Sequence, residues 1–153
     1  MNKYEIKRNN KYRLIAQKLI KERDDLETLR NSHCKIAYLS SQQEKKTGNG
    51  TKLVCGECKK VNDNMQWICP YDFMIVIYEP NIINFTEEQK RILVWHELKH
   101  IGFKPDTVEE EYYIVPHDYE DFKEIIDEYG LEWNDTAERR EIGDNYAERR
   151  QSE

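Results

Sequence analysis

The chain has 153 residues, 38% hydrophobic and 35% charged, with 30 acidic against 24 basic side chains and a formal net charge of −6. This length predicts one domain with a modest core, and the acidic balance argues against a broad nucleic-acid-binding face. No apolar run approaches the roughly eighteen residues of a membrane span, and "MNKYEIKRNNKYRLIAQKLIKERDD" carries no secretory h-region or cleavage site, so a cytoplasmic protein with reduced or metal-bound cysteines is expected.

Tyr12, Ile15, Leu19, Leu26 and Leu29 recur at helical spacing and predict an amphipathic helix over about residues 9–31. "KIAYLS" (35–40) suits a short strand, the polar "SQQEKKTGNGT" (41–51) a loop, and "KLVCGECKKV" (52–61) an extended stretch around a turn. "YDFMIVIYEP" (71–80) is the strongest strand signal, a β-rich apolar run closed by Pro80. Thr86 and Gln89 form a capping-box pattern, with Glu87 and Glu88 at the positive end of the dipole, so a helix should run to about Ile101 and stop at Gly102. Phe122, Ile125, Ile126 and Tyr129 predict a further helix between Pro116 and Gly130. The tail "NDTAERREIGDNYAERRQSE" is too polar to bury much, which places one domain at 1–133 and a charged helical or disordered tail at 134–153.

The chemistry concentrates in "VWHELKH" (94–100). Residues i and i+4 of a helix project from one face, so His96 and His100 offer two imidazoles to a single zinc ion. Glu97 is turned aside from that direction and would reach a metal-activated water, from which it would take a proton as general base. This is the His-Glu-x-x-His arrangement of zinc metallopeptidases, and Leu93, Val94, Leu98 and Ile101 supply an apolar face to seat it. A catalytic zinc needs a third protein ligand and an open position. Asp106, Glu109, Glu110, Glu111, His117 and Glu120 are the downstream candidates, and His117 is the better placed because it begins the second predicted helix.

"YDFMIVIYEPNIINFTEEQKRILVWHELKHIGF" followed by "IVPHDYEDFKEIIDEYGLEW" resembles the "putative phage metallopeptidase" domain family, whose members carry a Y-D-F-x-I-V-I strand, an H-E-L-x-H helix and an H-D segment leading into a helix ending Y-G-L. "KIAYL" and "GECKKV" also look like that family, so the resemblance covers about residues 30–133. It implies an α+β, zincin-like fold, with a small mixed or antiparallel sheet packed on the His-Glu-x-x-His helix between an N-terminal and a C-terminal helix. It also implies His117 as third ligand. A weaker similarity links "HDYEDF" to the SprT-like proteases, although Asp118 stands where their glycine follows the histidine and Phe122 lies one residue further on.

Around this centre, Asp118 and Asp121 are candidates to orient a ligand imidazole, or simply acids favoured at a helix start. Tyr112, Tyr113 and Tyr119 are candidate donors to an oxyanion, though packing is the commoner fate of a tyrosine. The strand at 72–79 would bind a peptide through the main chain of Met74 to Tyr78 if it lies at a sheet edge, and is an ordinary interior strand otherwise. Cys55 and Cys58 have zinc-knuckle spacing, and Cys69 with Cys34 or His33 could complete a second, structural ion, but a single C-x-x-C is weak evidence, and buried or free thiols are the favoured reading over that ion or a redox pair. The functional expectation is a zinc-dependent peptidase acting on a peptide or protein substrate, in the host cytoplasm if phage- or prophage-encoded. A metal-containing binding or inhibitor module without turnover is the alternative, and a DNA-associated SprT-like protease is disfavoured by the acidic charge.

Overall fold

The computed structural model describes residues 6–46, 53–104 and 111–116, together with Ile125, Glu128 and Tyr129. Over these residues the fold is α+β. A short strand β1 (Ile6–Arg8) leads into α1 (Asn10–Glu22), a 3-10 turn (Asp24–Leu26) and α2 (Glu27–Arg30). Strands β2 (Ile36–Ser41), β3 (Gly56–Lys60) and β4 (Phe73–Tyr78) follow, then α3 (Glu87–Leu98) and a two-stranded hairpin of β5 (Ile101–Phe103) and β6 (Tyr112–Ile114).

The main sheet is mixed, in the order β1-β2-β4-β3: β2 and β4 are parallel, and the outer strands β1 and β3 are each antiparallel to their neighbour. Strand β4 is therefore interior, in keeping with its nearly unbroken apolar run. The edge reading of Met74 to Tyr78 is set aside, because β3 occupies that edge. Phe73, Ile75 and Ile77 share one face of β4 and are fully buried in the core, with Tyr12, Ala16 and Leu19 of α1 and Ile92, Trp95 and Leu98 of α3. Each large side chain so buried contributes about 1.5–3 kcal/mol.

The single helix expected over 9–31 is broken at Arg23, whose backbone is extended (φ −92°, ψ 131°). Its periodic residues nevertheless face inward: Tyr12, Leu19, Leu26 and Leu29 are buried. The break brings Arg23 and Asp25 onto α3. The Arg23 guanidinium lies 3.5 Å over the Trp95 ring, and Trp95 Nε1 donates to Asp25 Oδ2 at 2.9 Å. At the start of α3 the capping box forms as expected, with Gln89 N donating to Thr86 Oγ1 (3.1 Å) and Thr86 N to Gln89 Oε1 (2.8 Å). The far end differs. The helix closes at Leu98, with Lys99 as C-cap, and Gly102 is the middle residue of β5. Of the predicted C-terminal helix, Ile125, Glu128 and Tyr129 are helical and Ile125 is fully buried; the charged tail at 134–153 lies outside the described residues.

Candidate metal centre

Helix α3 carries Trp95, Glu97 and Leu98 buried, and His96 on its last turn with 12% of its side chain exposed. The helical ladder does not end sharply. Lys99 N still donates to Trp95 O at 3.0 Å, while His100 N shortens to Glu97 O at 3.1 Å. Lys99 keeps helical angles (φ −67°, ψ −16°). The i, i+4 relation of the two histidines therefore survives past the formal end of the helix, and their ring centroids are 5.2 Å apart. His96, Glu97 and His100 form a cluster whose ligand atoms all lie within 4.8 Å of one another. Within it, His96 Nε2 and Glu97 Oε1 are 4.0 Å apart.

His100 is held by the hairpin. Val115 N donates to His100 O at 2.7 Å, and His100 Nδ1 lies 2.7 Å from Val115 O. A carbonyl only accepts, so Nδ1 carries the proton and Nε2 presents its lone pair. Such an outer partner fixes both the tautomer and the direction of a ligating imidazole. Sequence reasoning did not find Val115, because its contribution is a backbone carbonyl and leaves no mark on residue type.

The edge strand β3 walls the other side of Glu97. A β-carbon placed on Gly56 would lie 3.3 Å from Glu97 Oε1. Gly56 pairs with Ile77 and Cys58 with Ile75, so by strand alternation both face α3. "CGEC" reads as a turn by its glycine, which hid this role. The glycine marks a close approach within a strand instead.

The donor set fits a divalent ion of the zinc type. Imidazole nitrogens are borderline ligands that suit zinc, and a carboxylate oxygen is a common partner of the same ion. Glu97 is only 3% exposed, and a carboxylate this deep is costly to ionise unless a cation lies close; an ion held by the two imidazoles lowers that cost. His117, Asp118, Asp121, Tyr119, Asp106, Glu109, Glu110 and Glu120 lie outside the described residues. Tyr112 is a packing residue, its ring 5.8 Å from Phe73 and 5.4 Å from Phe103.

None of Cys34, Cys55, Cys58 or Cys69 belongs to a cluster of three or more metal-ligating side chains among the described residues. Burial, reinforced by the charges of Glu97 and Cys34, pushes the Cys58 thiol up. Strand alternation turns Cys58 toward α3, where the charges of Glu97 and Cys34 both reach it.

Among the described residues, no helix is long and apolar enough to cross a membrane. No curated protein and no solved structure matches the chain. Residues 4–140 match the family described as "Putative phage metallopeptidase", which covers the sheet, the helix α3 and the His96-Glu97-His100 cluster, and the chain belongs to that family.

Proposed function

We propose that the protein is a zinc-dependent, zincin-like peptidase in which His96, His100 and His117 hold the ion and Glu97 is the general base. The cluster of two imidazoles and a buried carboxylate on one capped helix carries this reading. Family membership agrees with it at the level of a metallopeptidase. The pairing of Val115 with His100 supports His117 as third ligand, since His117 follows two residues later and two residues of chain span at most about 7 Å.

When bound, a zinc ion would supply Lewis acidity, making a water molecule acidic at neutral pH and polarising the substrate carbonyl. Glu97 accepts the proton of the attacking water and returns it to the leaving amine. His100 is kept in one tautomer by Val115, so its Nε2 lone pair is the one presented to the ion. Where β6, which lies against β3, leaves it free, the outer edge of β3 beside Glu97 would offer main-chain groups for an added substrate strand with little demand on side-chain sequence.

The test is hydrolysis of casein or a peptide library by zinc-loaded wild type and Glu97→Gln. Turnover that falls about 100- to 10,000-fold with zinc retained fits the proposal. A zinc-loaded wild type without turnover overturns it in favour of a metal-containing binding module.

A further inference from the structure

We propose that Gly56 is a positioning residue for Glu97: the bare main chain of the edge strand is the surface against which the carboxylate is set. The inference deepens the peptidase reading and rests on it for the role of Glu97. A β-carbon at position 56 would lie 3.1 Å from Ile77 Cδ1, 3.3 Å from Glu97 Oε1 and 3.3 Å from the Val76 carbonyl oxygen. Gly56 sits in regular antiparallel pairing with Ile77, and its φ lies outside the left-handed region, so glycine serves here to leave room rather than to permit an unusual backbone. Glycine within a strand costs conformational entropy, which makes a purely incidental placement beside the one buried carboxylate of the described residues the weaker account.

The three neighbours respond differently to a methyl at that position. The Val76 carbonyl belongs to the interior strand and has nowhere to retreat. The Ile77 methyl and the Glu97 carboxylate are side-chain ends and give way. Displacing the carboxylate by a few tenths of an ångström alters proton transfer, which depends steeply on geometry, and leaves main-chain binding of substrate along β3 largely intact. No atom of His96 or His100 is among the three nearest to a β-carbon at position 56, so metal affinity should change little.

The experiment compares full-length zinc-loaded wild type, Gly56→Ala, Ile77→Val and the double variant. Ile77→Val removes the Cδ1 atom that crowds position 56, so the double variant also folds if Gly56→Ala alone does not. Three quantities are read: kcat and KM on a peptide substrate, zinc affinity by chelator competition, and affinity for acetohydroxamate, a small metal chelator whose acidic proton passes to an adjacent base. The expected result is a kcat lower by about tenfold or more and acetohydroxamate binding weaker by about fivefold or more in both Gly56 variants, with KM and zinc affinity within about twofold of wild type. Unchanged kcat and acetohydroxamate affinity in Gly56→Ala overturn the inference, as does full recovery in the double variant, which assigns Gly56 to packing against Ile77 alone. A wild type that binds zinc and acetohydroxamate without turnover sinks the peptidase reading, while the acetohydroxamate comparison still decides whether position 56 sets the carboxylate.

Discussion

Gly102 lies directly against the ring of Tyr113: a β-carbon on the glycine would stand 2.6 Å from Cε2 and Cζ of that ring, and 2.7 Å from Cγ2 of Val115. The hairpin that orients His100 is thus closed by the absence of a side chain. Gly102→Ala forces Tyr113 and Val115 away and should cost about 1–3 kcal/mol of stability. Because Val115 O accepts from His100 Nδ1, the same change should weaken zinc binding roughly 10- to 100-fold. Urea unfolding of the metal-free protein and chelator competition measure the two effects separately. Lost stability with unaltered zinc affinity would remove Val115 from the account of the site.

Trp95, next to His96, anchors α3 to the break after α1. It is fully buried, donates to Asp25 at 2.9 Å and carries Arg23 on its face. Trp95→Phe loses the charge-assisted hydrogen bond and leaves a cavity, for an expected loss of roughly 2–4 kcal/mol in urea unfolding. A loss below about 1 kcal/mol would mean that the indole nitrogen contributes little to holding the helix.

Glu88 reports on the docking of the segment that contains Tyr129. Arg91, and then the Tyr129 hydroxyl at 2.7 Å, hold its carboxyl down from 4.5 to about 2. A depressed folded-state value means that the unfolded chain binds the proton more readily. The stabilisation is therefore complete above about pH 4.5 and disappears as the pH falls toward 2. Glu88 is half-exposed, so screening leaves roughly a few tenths of a kcal/mol. Wild type should exceed Glu88→Gln by that margin at pH 6 in low salt, and the two should converge near pH 2. A difference that persists at pH 2 would assign the effect to packing rather than charge.

Helix α3 was legible because its signals are local: Thr86 and Gln89 cap it, and the spacing of the two histidines follows from helix geometry. Strand β4 was equally legible from its apolar run, but its interior place was not, because that place depends on the pairing with β3. The end of α3 was misread at Gly102, since glycine marks a helix stop and a close packing contact alike, and only the Tyr113 ring distinguishes them. Arg23 ends α1 through partners on Trp95 and Glu128, which lie 72 and 105 positions away and cannot be inferred from periodicity. For the cysteines, a lone C-x-x-C was a weak signal, and buried or free thiols were the reading favoured over a structural ion. Their spacing is a local pattern, but β3 is a strand, and alternation turns Cys58 toward Glu97. Val115 and Gly56 contribute a carbonyl and an empty space, and neither is written in side-chain chemistry.

The central claim concerns which atoms bind the ion, and X-ray absorption at the zinc edge of the loaded wild-type protein addresses it directly. The account predicts imidazole nitrogens at about 2.0–2.1 Å, completed by a light oxygen scatterer, with no sulfur in the first shell. A sulfur shell at about 2.3 Å would move the metal to the cysteines and contradict the account.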